Sequence, residues 1–534
     1  MATQLPGESV EEGTLLLSPN ELTHLLPPPP AKTTNRPWVF WVVQVLVMVT
    51  IIDVGAFLGE PPKTRIYETN LCLSYYREHD SSVIDSNGSI SEKLCKIDAV
   101  QQKLAMIFGW QDTFDAIPSI LLAIPFGTMA DRVGRKWIFA ASLLGCELSS
   151  AWVLLISGYF KSLPLQLTWL SSAFYLIGGG PIVAAAVAMT MISDIVPPDK
   201  RTTVFLYLTA SMLVAEMIAP AIAAKLMENG DWLPLLLALV IQSAGMCLAI
   251  FFPETLHMRD LPEPKDNVDQ CTELQPKDGG FTPIAQLRNF QTAYTFLRKD
   301  LRLALIVFGF MANRLGRQAM SLLIRYASKR YDWEIKQAAY LLSFRAGTNL
   351  VVIGVFLPAI NWCLLKHPQF SSHWADLWIA RGSVIMQMVG FLLMGIAGFP
   401  ALLILGLLVY NMGTGYNASL RSVAVNTVGG QSSSHVGKLM STIAISEAIG
   451  AMFAGPALSQ FFQWGMGLGS AWLGLPFLAC VPVFGMMAVV SFVISTKDRD
   501  IGYIGLQSED EEDANSEVGR TAACDDEPSL SHVP

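Results

Sequence analysis

Apolar runs of about twenty residues recur along the chain between short polar turns, and each can cross the roughly 30 Å hydrocarbon core of a bilayer. Twelve runs are predicted as helices, at 38–59, 103–129, 137–158, 166–192, 203–225, 233–252, 302–324, 337–365, 378–398, 401–424, 438–463 and 470–494. Two long polar stretches interrupt the rhythm. Residues 60–102 follow the first run as a loop, and residues 255–301, rich in Pro, Asp, Lys and Gln, read as a linker between two halves at 38–254 and 302–496. Residues 1–37 and 497–534 lie outside the pattern as disordered tails. The expected fold is an all-α membrane protein of twelve transmembrane helices in two six-helix halves.

An even number of spans puts both termini on one side. Lys32, Arg36, Lys200, Arg201, Lys438, Lys497 and Arg499 mark that side, the linker and both tails as cytoplasmic, because basic residues are retained there. Residues 60–102 then face outward. Lys329, Arg330 and Lys336, between the seventh and eighth runs, break the rule and make the seventh span the exception. Composition agrees: 52% of the 534 residues are hydrophobic and 15% charged, against about 25% charged in soluble proteins. A net charge of -8, part of it in Glu509–Asp513, gives no footprint for nucleic acid. The chain has no Walker-type loop, HExxH pair or metal-ligand spacing. ATP-driven pumping, membrane proteolysis and intramembrane catalysis therefore lack support, and no enzyme activity, cofactor or metal is expected.

Gly127-Thr-Met-Ala-Asp131-Arg132-Val-Gly134-Arg135-Lys136 lies between the second and third runs. Its glycines allow a tight reversal with close backbone approach, and Asp131 can pair with a nearby arginine or sit at a helix N-terminus. This GxxxDRxGRK pattern resembles the loop signature of the major facilitator superfamily, and the general resemblance covers about 38–496. The resemblance implies two pseudo-symmetric halves rocking about a central site. It also implies a cytoplasmic clasp in which Asp131 and Arg135 hold the inner helix ends together.

Paired sequence echoes fit two related halves. Gly178-Gly-Gly180-Pro181 in the fourth run has a counterpart in Gly413-Thr-Gly415-Tyr416 in the tenth. Ala215xxxAla219-Pro220 in the fifth is matched by Gly450xxxAla454-Gly455-Pro456 in the eleventh. Small residues four apart let helix backbones touch. The fifth-run motif also resembles the proline-glycine signature of family antiporters, with alanine in place of most glycines, so the direction of transport stays open.

Charges within the runs are the candidate working parts, since an Asp or Arg at a helix centre costs about 2.5–3.5 kcal/mol. Asp112 and Asp115 share a face three residues apart, as do Arg314 and Arg317. Glu216 and Arg345 lie at similar depth on helices that the resemblance places side by side, so they are expected to pair, either as a proton-sensitive gate latch or as a static bridge. The resemblance puts the seventh span on the central cavity. There Arg314 and Arg317 would bind a substrate carboxylate or phosphate, or else pair with Asp112 or Asp115. Asp53 is placed on the cavity, and Glu447 is a further intramembrane charge.

Of eight cysteines, Cys146, Cys247, Cys363 and Cys480 read as apolar packing residues, and Cys271 and Cys524 fall in cytoplasmic segments that stay reduced. Cys72 and Cys95 share the outward loop and are expected to form a disulfide worth ~3 kcal/mol. Asn87-Gly-Ser89 in that loop is a glycosylation sequon. Arg65xxGlu68xxxCys72xxTyr75-Tyr76 and Pro253-Glu254-Thr255 are similar to a fungal branch of the superfamily distantly like the proton-coupled folate transporters. Glu11xxxLeu15-Leu16 and Glu21xxxLeu25-Leu26 resemble dileucine sorting signals, which sets a vacuolar membrane beside the plasma membrane as a destination. No cleavable signal peptide is evident, so the first helix would serve as the targeting signal. The function expected is secondary transport of a small organic solute, a metabolite or organic anion, by a proton-coupled monomer in the bilayer. The alternative is a non-transporting sensor with the same fold.

Overall fold

The computed structural model describes residues 38–86, 88–197, 200–255, 301–366, 372–428 and 436–493. These form helices and turns, with no strand among the described residues. The first half contains α1 (Trp38–His79), α2 (Asp98–Val133), α3 (Arg135–Gly158), α4 (Gly180–Ile195), α5 (Arg201–Leu226) and α6 (Trp232–Phe251). The second contains α7 (Leu301–Ser321), α8 (Leu323–Tyr331), α9 (Ile335–Val351), α10 (Leu357–Leu365), α11 (Ser372–Gly395), α12 (Pro400–Met412), α13 (Tyr416–Thr427), α14 (Val436–Leu468) and α15 (Leu475–Val493). The longer count in the second half comes from interrupted spans. A π-turn at Val352–Phe356 joins α9 to α10, and the turn at 413–415 separates α12 from α13.

Ten of these spans are long and apolar enough to cross a membrane, and α2 makes eleven when its 47° bend between Ala123 and Pro125 is counted within one span. The twelfth is α7, which carries Arg302, Arg314 and Arg317. Its charges keep it out of the apolar class, yet neighbouring helices bury many of its other residues, including Ile306, Phe310 and Met320. Exposed Val240, Phe251, Trp362 and Val489 are of the kind that faces lipid.

Two boundaries differ from the sequence pattern. The polar stretch from residue 60 is not loop at its start: α1 runs on to His79, through Pro61 and Pro62. Prolines and charges end the apolar run, but the charges there find partners. Lys63 Nζ lies 2.8 Å from Glu60, and Thr64 Oγ1 donates to the Glu60 carbonyl at 3.0 Å. The fourth span is also not continuous. Leu165–Leu176 coils in 3₁₀ turns, and Gly178, Gly179 and Gly180 break it from α4 with φ of +87°, +89° and +69°. The echo at 413–415 breaks the equivalent span of the second half, so both glycine motifs act as hinges in the helix path.

The halves meet along α2 against α14 and α5 against α9. Small residues set the first contact: a Cβ on Gly109 would lie 2.5 Å from Ser459 Cβ, and one on Gly455 would lie 2.7 Å from Asp112 Cβ. Ser459 Oγ donates to the Ala105 carbonyl at 2.5 Å and Thr113 Oγ1 to that of Met452 at 3.2 Å. Cys72 and Cys95 are joined by a disulfide, with Cα atoms 5.3 Å apart. It marks one end of the molecule, and the Gly127–Lys136 hairpin marks the other. Cys247 and Cys363 are exposed on α6 and α10, not packed as expected, because their helix faces turn outward; Cys480 is buried.

Gly178 tests the hinge. A Cβ there would lie 2.3 Å from the Ser142 backbone nitrogen, at a φ that side chains avoid. Gly178→Ala is expected to cost about 2 kcal/mol or more, read as a lower melting temperature in detergent. Gly398→Ala, with nothing within 4 Å of its Cβ, should leave that temperature unchanged.

Candidate functional site

At the hairpin end, Gly134 takes φ +125° between α2 and α3. The turn is open only to glycine, and it leaves room for a carboxylate from far along the chain. Glu254, just past α6, accepts hydrogen bonds from the backbone nitrogens of Arg135 at 2.9 Å and Lys136 at 3.2 Å. A negative charge there complements the α3 N-terminus. The Arg135 side chain is buried and bridges two acids: Nη2 lies 3.1 Å from Asp131, and Nε contacts Asp194 on α4. The clasp thus ties α2, α3, α4 and the end of α6. Asp131 pairs as the motif predicts, and Arg132 is exposed. Gly127 does not behave as expected: nothing lies within 4 Å of a Cβ built on it, so it makes no close approach. Lys136 stacks over the Trp137 ring at 5.1 Å.

The first half encloses a cavity of about 130 Å³ between α1, α2, α3, the 3₁₀ segment and α6. Its charged lining is Glu60, Lys63 and Asp115. Asp115 accepts from Ser172 Oγ at 2.5 Å and Gln111 Nε2 at 2.9 Å. Asp112, one turn earlier, faces away from that cavity toward the other half, where Gln318 Nε2 of α7 donates to it at 2.5 Å. The two aspartates therefore do not act as one face. Three residues leave the two positions only about 60° apart around the helix, yet one side chain is bonded inside its half and the other at the seam.

Arg325 of α8 is buried at that seam, its guanidinium 4.3 Å from the Phe108 ring centroid. Lys63 approaches the same ring at 5.6 Å. An aromatic ring held between cations from opposite halves is an electrostatic contact that hydropathy does not reveal. Arg317 bonds to Glu447 of α14 at 3.2 Å, with its side chain 44% exposed. Arg314 packs beside Gly450 of the same helix. Neither arginine bridges to Asp112 or Asp115 among the described contacts.

Glu216 on α5 and Arg345 on α9 form an ion pair across the halves. Glu216 is buried, and the Arg345 carbonyl accepts from Asn411 Nδ2 at 3.0 Å, which fixes its helix against α12. Asp53 is half-buried on α1 and does not line the cavity of the first half. Sequence reasoning missed Asp194 and Glu254 in the clasp, Arg325 at the seam, and Glu147 of α3, which accepts from Ser243 of α6 at 2.6 Å. Glu147 was legible as a lone carboxylate in an apolar run; the others act through partners far away in sequence. Asn87, Cys271, Cys524, the linker from 256 to 300 and the dileucine motifs lie outside the described residues.

Comparison with known proteins agrees with this arrangement. The family model of the Major Facilitator Superfamily matches residues 99–455. The MFS efflux pump atnC of Emericella nidulans is 34% identical over 471 residues, covering 86% of this chain and 90% of that protein. The efflux pump ustT of Aspergillus flavus is 28% identical over 444 residues, covering 82% and 85%. Among solved structures, the nucleoside transporter NupG superposes with a TM-score of 0.56 at 11% identity, over 85% of this chain and 98% of its own. The human organic anion transporter MFSD10 gives 0.54 at 18%, over 85% and 99%. Identities this low speak for the fold alone. The likeness to proton-coupled folate transporters is not shown by these relatives, and a non-transporting sensor finds no support among them. Twelve helices in two halves, the matching family model and the kinship with fungal efflux pumps establish that the chain belongs to the Major Facilitator Superfamily, as a multi-pass membrane transporter rather than an enzyme.

Proposed function

We propose that the protein exports a small organic solute by alternating access, driven by protons. The ion pair between Glu216 and Arg345 carries this reading, because it joins opposite halves inside the membrane. A proton on Glu216 cancels the attraction and lets the halves part, and the clasp around Arg135 holds the other end of the first half rigid while they do so. Export is in keeping with the names of the relatives atnC and ustT.

In this reading Arg314, Arg317 and Asp53 serve the substrate path, and Asp112 and Asp115 take part in proton handling. Pairing with Glu447 tempers the positive charge of Arg317, which favours a weakly polar or zwitterionic solute over a strong anion. The halves are 38–254 and 302–496, and the clasp, linker and both termini face the cytoplasm. The disulfide and Asn87, as a glycan acceptor, then face outward. A single chain is the working unit, at the plasma membrane or alternatively the vacuolar membrane.

Flux into proteoliposomes under an imposed pH gradient tests the proposal, with substrates chosen by metabolite profiling of a deletion strain. Glu216→Gln is expected to keep counterflow while net flux stops following the gradient. Net flux that still tracks pH in the folded variant would rule out this residue as the coupling site. For the clasp, Asp194→Asn removes a buried partner of Arg135 and should lower stability by about 3 kcal/mol, measured by thermal unfolding. Asp131→Asn, whose side chain is 60% exposed, should cost well under about 1 kcal/mol.

A further inference from the structure

We propose that the Cys72–Cys95 disulfide positions Glu92 and Lys96 as a latch that closes its end of the transport path against the second half. The argument starts from α1, which is polar beyond residue 60 yet buries Arg65 and Glu68. A short 3₁₀ helix, Glu92–Lys96, lies against that face. Three ties hold it there: the disulfide, a bond from Gln101 Nε2 to the Cys95 carbonyl at 3.1 Å, and one from Tyr76 Oη to the Leu94 carbonyl at 3.1 Å.

The segment carries half of a buried charge quartet. Lys96 Nζ lies 2.7 Å from Glu68 and 3.0 Å from Glu92, while Arg65 lies 3.1 Å from Glu68 and 3.2 Å from Glu92. Two cations meet two anions within the first half alone, and a third carboxylate, Asp231, stands at the edge of the cluster 3.8 Å from Arg65. The same groups also reach across. Lys96 Nζ donates to Ser328 Oγ of α8 at 2.5 Å, and Glu92 Oε1 accepts from the Ile335 backbone nitrogen, the first residue of α9, at 2.7 Å. Asp98 adds a pair with Lys329 of α8 at 2.7 Å, and Lys329 also donates to the Lys96 carbonyl.

Opening this end must break only the bonds to α8 and α9. The quartet stays assembled on α1, so Glu92 and Lys96 keep their partners and escape the large penalty of splitting a buried pair; Asp98, whose pair with Lys329 is split, is 57% exposed. Without the disulfide, the 3₁₀ segment that supplies Glu92 and Lys96 is held to α1 by two hydrogen bonds and by its own ion pairs to Glu68 and Arg65, with no covalent tie to fix its register. Lys96 and Glu92 are thus positioning residues for closure, and the disulfide makes their register permanent.

This inference rests on the alternating-access reading, and a distance measurement separates the two. Spin labels carried on non-cysteine residues at exposed Glu78 and at Gly398, whose Cβ direction is open, report the gap across this end in the full-length protein in lipid nanodiscs. Wild type should show mainly the short distance. Cys72→Ser with Cys95→Ser, or reduction of the wild type, should shift the closed-to-open ratio by roughly tenfold or more. Ser328→Ala with Lys329→Gln, which leaves disulfide and quartet intact, should shift it the same way, and Lys329→Arg should restore part of the closure. Unchanged distances in folded Ser328→Ala/Lys329→Gln protein overturn the latch, even if the cysteine variant fails to fold. If the wild-type distance never responds to an acid step while a label pair across the opposite end is equally fixed, it is the alternating-access reading that fails.

Discussion

Charge burial organises this molecule. An ionised side chain among transmembrane helices needs a partner, and a partner on another segment turns that need into a mechanical link. Arg135 joins the hairpin to α4, Glu216 joins α5 to α9, Arg317 joins α7 to α14, and Lys96 joins α1 to α8. The links divide by location. At the hairpin end Arg135 ties elements of the first half alone, and Arg317 ties two helices of the second, whereas Glu216 and Lys96, on the disulfide side, join the halves. A rigid-body motion that parts the halves on that side can therefore leave the hairpin end of the first half intact.

Packing supplies the complement to these links. Where α2 meets α14, Gly109 and Gly455 bring backbones close enough that hydroxyl-to-carbonyl bonds form between helices. Inside each half the helix path is interrupted at the glycine breaks at 178–180 and 413–415 and at the π-turn at Val352–Phe356. A π-turn carries one residue more per turn than its flanks and is common at sites of function. Arg345 sits just before it, so a change in that turn would be felt at the ion pair.

The fold was legible because the bilayer imposes a single length on apolar runs, and even α7, too rich in arginine to qualify by composition, was found as an interval of the pattern. The Cys72–Cys95 bond was legible from compartment, and the Glu216–Arg345 pair from depth together with the family resemblance that sets their helices side by side. What stayed hidden depended on tertiary partners. Polar residues after 59 looked like loop, since nothing local shows that Arg65 and Glu68 are neutralised by residues near 92 and 96. Asp112 and Asp115 looked like one site because spacing gives angular proximity and not the identity of the neighbour. Glu254 lies more than a hundred residues from the helix it caps.

The 42 residues of α1 amount to about 63 Å of helix, close to twice what the hydrocarbon core requires. Its last turns therefore reach past the hydrocarbon core, and with them the disulfide and the charged quartet, both buried among protein. In the proposed latch, the transport path would be closed on that side by a headpiece above the bilayer rather than by a plug within it. Closure is then exposed to the medium: ions within a Debye length of about 8 Å in physiological salt compete with Lys329 for Asp98, while the deeper quartet remains shielded. Lipid thickness governs the spans, whereas under the proposed latch the salt of the solution at this end would govern how firmly the headpiece shuts.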